Sequence, residues 1–598
     1  MKKVLKREQL NVNHTWDLTR LFLTEELYEK SLNDCLEDSK KFKNKFEGKL
    51  NNEKTIIEAL NEYTKIITNF GYVRSYQSLN ISVDQTNESN IIRTGNFNII
   101  ASDININLTF FMSELKEVDD EILKQIIKLE PNYKVLIEKI IKDKKYKLDK
   151  NIEHTLSQFS QVFNAPYKNY EVFKLADMKF SSFKVNNKEY PNSFTLFENE
   201  WSHEINHDVR RAAFVSFYDK LKEYENGFAS NYQTHVLTEK AFSNLKGFNS
   251  VTEYLLYEQD VTLDMYHRQI DLIMKHLSKP MQKFAKLIQK QHNLDKLTYA
   301  DLQISLDPEF EPTVTIEESQ KYMLESLSIL GPEYTKMIKK AFDERWIDFP
   351  QNIGKSTGGF CSSPYRKGSY ILLNWNNLMN ENFVLAHELG HAGHFYFAGQ
   401  NQHIFNMRPS MYFIEAPSTM NELIIANYLE KQSNDLRFKR WVLQTLIART
   451  YYHNFVTHLL EAAFQRKVYE RVDNKQPLSA KVLNELKLSV LKEFWGDAVE
   501  IPEYAGRTWM RQPHYFMGLY PYTYSAGLTI ATATFEKIKK NQLSIDKWIE
   551  VLKQGGTKSP LELAKIVDLD LSTEQPLLET INSISKIIDE IEQLSNKI

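Results

Sequence analysis

Five consecutive residues, His387-Glu388-Leu389-Gly390-His391, combine types and spacing that call for one chemistry. On a helix, residues four apart differ by roughly 40° in direction, so both imidazoles can reach a single metal ion while Glu388 projects beside them. A zinc ion held by such a pair keeps one position for water, and the carboxylate between the histidines is placed to take that water's proton. The pattern points to metal-assisted hydrolysis of a peptide bond, with one Zn2+ per chain.

The same pattern occurs twice, because His203-Glu204-Ile205-Asn206-His207 also reads His-Glu-x-x-His. Context separates the two. The window 199–208 is polar and ends in Asp208, a good helix N-cap, so a helix starting there leaves His203 and His207 in a surface loop where four-residue spacing has no meaning. The later copy lies among Phe383, Val384, Leu385, Ala386, Leu389, Ala392, Phe395 and Tyr396, the flanks of a buried helix.

A catalytic zinc needs a third protein ligand, and Glu415, Glu422 and His403 are the candidates downstream. His403 follows the polar run Gly399-Gln400-Asn401-Gln402, which reads as a solvated turn. Glu415 follows Tyr412-Phe413-Ile414, and a carboxylate buried there needs a cation. Glu422, two helical turns on, is either a partner for a ligand histidine or an ordinary helix acid.

Long helices must carry these groups, since glycine (19) and proline (17) are scarce in 598 residues. Thr24 caps a first helix with the stripe Leu27, Tyr28, Leu32, Cys35, Leu36, Phe42 and Phe46, which Gly48 stops. Helical periodicity continues through 56–76, 97–115 and 121–141. Asn186-Asn187 between apolar residues predicts a small hairpin within 180–194, and Thr315 with Glu318 forms a capping box. Three short apolar runs at 346–349, 358–361 and 370–375 predict a small sheet beside the metal helix. An extended peptide can join its open edge. The expected division is an N-terminal helical lobe, 1–195, and a catalytic region with C-terminal helices, 196–598.

Composition excludes several classes. The 75 basic and 78 acidic side chains nearly cancel and are interspersed, so no basic stripe advertises nucleic acid, and the charged run 139–150 reads as a solvated helix face. Two cysteines, Cys35 and Cys361, cannot build a disulfide framework. The start Met1-Lys2-Lys3-Val4-Leu5-Lys6-Arg7-Glu8 lacks the apolar core of a signal peptide, and no run of eighteen apolar residues predicts a membrane span. A cytoplasmic location is expected.

A second cluster, Arg511-Gln512-Pro513-His514-Tyr515-Phe516-Met517-Gly518-Leu519-Tyr520-Pro521-Tyr522-Thr523-Tyr524, offers hydroxyl and imidazole donors suited to an oxyanion. Together with Thr15-Trp16-Asp17-Leu18, Gly359-Phe360-Cys361, the zinc motif and Ile414-Glu415-Ala416-Pro417-Ser418, it makes the chain resemble oligoendopeptidase F, of the thimet oligopeptidase and neurolysin group of zinc peptidases. The resemblance implies a mainly α fold of two helical lobes enclosing a deep channel, Glu415 as third ligand, and cleavage inside short unstructured peptides. It also implies His514 and Tyr522 at the oxyanion, with Gly359, Tyr520 and Tyr524 contacting substrate. Two other readings compete. Paired Glu-x-x-His motifs mark di-iron bundles, which would require Glu204 and His207 on a bundle helix. A non-catalytic peptide scaffold would leave Glu388 without a purpose.

Overall fold

The computed structural model describes residues 5–598, and Met1–Val4 of the charged start lie outside them. Helix accounts for 71% of the chain and strand for 4%, in keeping with so few glycines and prolines. The first long helix, Glu25–Phe46, is capped by the Thr24 hydroxyl, which accepts from the Leu27 amide. Its buried stripe is the expected one except for Leu27, which turns to solvent. Gly48 ends it at φ +71°, a conformation that costs glycine little.

This helix packs with Glu53–Val83 and Glu88–Leu115 around one core of residues 16–140, which also takes in Tyr370 and Leu372. A second, larger core gathers residues 170–594. Early in the span of the second core, β1 (Phe183–Val185) and β2 (Lys188–Tyr190) pair antiparallel, with Asn186 and Asn187 both at positive φ, as a tight I′ hairpin turn requires. Of the charged run, Lys139, Lys142, Lys144 and Lys147 reach acidic partners on neighbouring segments, so that face is pinned by ion pairs.

The predicted three-stranded sheet forms from β3 (Ile347–Pro350), β4 (Phe360–Ser362) and β5 (Tyr370–Trp375), in the order β3-β5-β4, with β3 parallel and β4 antiparallel to β5. That order leaves β4 as an edge. The N-terminal segment docks here: Trp16 packs on Phe360 and Tyr370, and Arg7 with Lys355 neutralises the fully buried Asp348. The sheet therefore joins the first core to the helix that follows it, Glu381–Asn401, which carries the His-Glu-x-x-His motif.

Candidate active site

The motif helix is buried on nearly every side, and two of its three glycines mark where neighbours come closest. A Cβ on Gly390 would stand 2.4 Å from the Pro417 carbonyl oxygen, and one on Gly393 would stand 2.5 Å from the Tyr334 hydroxyl. Glycine inside a helix costs about 1 kcal/mol against alanine, so the position is useful only for what it admits. What it admits is the start of the helix Ala416–Gln432, with Glu415 at its N-cap. Gly527 approaches the same turn from the other side, where its Cβ would meet Glu415 at 2.9 Å.

Squeezed between two glycine contacts, Glu415 presents Oε2 at 3.4 Å from both His387 Nε2 and His391 Nε2. The Ser418 hydroxyl donates to the same oxygen at 2.9 Å. Burial alone would raise the Glu415 pKa, but the two imidazoles and Ser418 hold it down at about 2. His387 Nδ1 lies 2.7 Å from Glu422 Oε1, and the Thr450 hydroxyl bonds the other Glu422 oxygen. Burial would lower His387, yet Glu422, Glu388 and Glu415 push it up to about 9. Glu388 is only 6% exposed, and burial raises it despite the neighbouring histidines.

These donors fit a zinc ion. Two ligands about 2.1 Å from zinc at the tetrahedral angle stand about 3.4 Å apart, the separation found here. Giving Nδ1–H to Glu422 leaves the His387 Nε2 lone pair facing Glu415, and three carboxylates around two imidazoles call for a dication.

The site opens on a cavity of about 1280 Å³ whose lining runs from Glu198 to Tyr524. Its lining includes Gly359, Cys361, His387, Glu388 and Glu415, together with Arg449, His453, Glu461, Tyr520 and Tyr524. A Cβ on Gly359 would come 3.3 Å from Glu388 Oε1, so this position keeps the carboxylate uncrowded. Burial pushes the Cys361 thiol up to about 12, which removes it as a nucleophile.

Another histidine cluster adjoins the cavity through Glu461. His458 Nδ1 is 2.8 Å from Glu461 Oε2, and His514 Nδ1 is 3.9 Å from the same oxygen. The His514 ring stacks on Tyr520 with centroids 5.5 Å apart, and His458 stacks on Tyr524 at 4.2 Å. Burial pushes Tyr520 up to about 12 and Tyr524 higher, so both hydroxyls keep their protons.

Residues 201–583 match the model for peptidase family M3, and residues 114–180 match that for oligopeptidase F. The chain belongs to peptidase family M3. By that membership it is a metalloendopeptidase. It is 28% identical to an oligoendopeptidase F homolog of Borreliella burgdorferi over 99% of this chain and all of the relative. It is 26% identical to the oligopeptidase PepF of Bacillus subtilis over 99% of this chain and 89% of the relative. The oligoendopeptidase F structure from Enterococcus faecium shares the fold at TM-score 0.74 and 21% identity, covering 96% of this chain and 99% of that one. A Chlamydophila abortus protein does so at 0.85 and 21%, covering 99% and 100%.

In this M3 peptidase the expected residues are not all brought together. Among the described residues two groups could hold a metal, His387 with His391 and Glu415, and His458 with Glu461 and His514. Only the first has metal-like separations; the second contains a hydrogen bond. His403 lies apart, against Tyr133 and Phe405. Tyr522 does not line the cavity. It is fully buried, bonded through its hydroxyl to Gln259 at 2.5 Å and packed on Tyr266 and Tyr412. Tyr520 precedes the helix Pro521–Lys539, and at 100° per residue Tyr524 shares its face while Tyr522 points the opposite way. His514 itself is not on the cavity wall but stacks on Tyr520, which is.

Sequence reasoning missed Thr450, His458 and Glu461. They lie on one continuous run, the π-helical segment Leu446–Thr457 and the helix His458–Asp473. The available signal was a set of polar residues at 450, 453, 458 and 461 interrupting a buried apolar helix. The helix near 208 begins two residues earlier than expected, because Asn206 rather than Asp208 is the cap, accepting from the amides of Asp208 and Val209.

Proposed function

We propose that the protein is a zinc-dependent endopeptidase of short unstructured oligopeptides acting in the cytoplasm. The observation that carries this reading is Glu415 Oε2 standing 3.4 Å from the Nε2 of both His387 and His391, with Glu388 beside them. His387, His391 and Glu415 would hold the ion, and zinc bound there supplies positive charge that polarises the scissile carbonyl and acidifies a water.

The remaining work falls to the chain. Glu388 takes the proton of the attacking water and returns it to the leaving amine, and its burial favours the protonated form it must pass through. Glu422, itself held by Thr450, fixes the His387 ring through Nδ1–H. The protonated hydroxyls of Tyr520 and Tyr524 donate to the developing oxyanion, with His514 stacked behind Tyr520. Tyr522 takes no part. The peptide lies extended along the β4 edge, where Gly359 leaves its backbone open beside Glu388.

The test is Glu388→Gln, assayed on a mixed peptide digest by mass spectrometry with zinc content measured in parallel. Metal content is expected to hold while cleavage falls on the order of 10³-fold. Cleavage retained at the native rate would overturn the assignment.

A further inference from the structure

Arg449 is a charged residue of the cavity lining that the mechanism leaves without a task. It lies on the π-helical segment Leu446–Thr457, next to Thr450, whose bond to Glu422 ties that backbone to the metal-site histidine. Thr445, Ala448, Arg449, Tyr452 and His453 line the cavity from this segment, so the guanidinium shares a compartment with His387 and Glu388. Long π-helical stretches are rare and concentrate at functional sites.

Its surroundings do not satisfy it. The Arg449 Nε is buried without a hydrogen-bond partner, and among the described residues no ion pair engages the guanidinium. The other arginines of the lining are engaged: the terminal nitrogens of Arg511, whose Nε is likewise unpartnered, reach Glu198 and the Tyr218 hydroxyl at 3.3 Å, and Arg408 lies over the Phe395 ring. The acids whose charge Arg449 feels are Glu381 and Glu388. Glu388 is committed to proton transfer, and burial pushes Glu381 up to about 7, which weakens it as a counter-charge. A buried donor without a partner is costly, and the planar fork of guanidinium N–H groups matches one ligand class best, the carboxylate.

We propose that Arg449 binds a carboxylate of the peptide in the cavity and thereby sets which bond meets Glu388. The proposal rests on the peptidase reading above. Peptides carry carboxylates in two places, the C-terminus and acidic side chains, and Arg449 recognises their shared chemistry. If the C-terminus is the source, the cut stays a fixed number of residues from that end as the peptide is lengthened at the other.

The experiment measures kcat/KM of the zinc-loaded native enzyme, Arg449→Met and Arg449→Lys on two peptide series. One series pairs free C-termini with C-terminal amides; the other replaces Glu by Gln at successive positions. The native enzyme is expected to lose about 10- to 100-fold, mainly in KM, when the recognised carboxylate is neutralised. In Arg449→Met that ratio should collapse to near one, with Arg449→Lys intermediate. The amide arm identifies the C-terminus and the Gln arm identifies a side chain; either supports the proposal. A native ratio near one in both arms, or a ratio that survives in Arg449→Met and Arg449→Lys, overturns it while leaving peptidase activity intact. Absence of any cleavage by the native enzyme overturns the peptidase reading and this proposal with it.

Discussion

The chain spells His-Glu-x-x-His twice, and the two copies have opposite fates. At 387–391 the letters sit inside a buried helix, so both imidazoles face one carboxylate. At 203–207 a 3₁₀ turn ends on His203, the chain bends, and a new helix starts at His207 under the Asn206 cap. His203 turns to the Gln303 carbonyl and His207 to Asp208, and both are exposed. Four-residue spacing has chemical meaning only if one helix spans it, and a single capping side chain decides that. The earlier copy is instead framed by Arg210, which donates to the carbonyls of Glu204 and Ile205 and pairs with the buried Asp301.

The largest expected difference between the copies is in metal binding. Removing one of three protein ligands by His391→Ala should weaken zinc on the order of 10²- to 10³-fold, as when a total of roughly 10–16 kcal/mol is shared over four ligands. His207→Ala should leave zinc content and affinity unchanged. Chelator competition on both variants checks this, and equal losses would mean that the comparison has been drawn the wrong way round.

Next in size is the scaffold of the earlier copy. Asp301→Asn strands Arg210, a fully buried guanidinium, and should cost about 3–5 kcal/mol of stability without changing zinc content. Burial alone would raise Asp301, but bonds from Arg211, Arg210 and Thr298 hold it below its ordinary value of 3.8. A depressed carboxylate contributes stability above its unfolded pKa, and the contribution is lost as pH falls through the folded one. The stability gap between native and variant chains, read by urea unfolding, should therefore be full at pH 7 and narrow below about pH 4. A gap that widens in acid would show that Asp301 is not the group responsible.

Local rules recovered much of this molecule from the sequence. The Thr24 cap, the Thr315–Glu318 box, the Asn186-Asn187 hairpin and the three sheet runs follow from side chains acting on their own backbone within a few residues. Glu415 was legible as an acid with no reason to be exposed, and its place opposite the histidines depends on Gly390 and Gly527, whose purpose is visible only once the elements are packed. Two placements turned on helix phase. Choosing Tyr522 over Tyr520 and Tyr524 required knowing where the helix at 521 begins, and choosing Asp208 over Asn206 required knowing which side chain turns back on the amides. Glu461 and His458 pair with residues more than fifty positions away, and no local rule announces such a partner.

The smallest effect gives the sharpest version of the comparison. Each copy has one histidine whose Nδ1 leans on an oxygen: His387 on the Glu422 carboxylate at 2.7 Å, His203 on the neutral Gln303 carbonyl at 3.0 Å. Glu422→Gln makes the true site resemble its twin in that respect alone. The amide oxygen can still accept from Nδ1–H, and the Thr450 hydroxyl can rotate to meet the new NH2 group, so geometry is kept and charge is lost. Zinc affinity should fall about 10- to 100-fold, through the lower basicity of His387 Nε2. Competition with a chelator of known affinity measures it. An unchanged affinity would mean that orientation of the ring is all Glu422 provides, and that a carbonyl would have served the metal site as well.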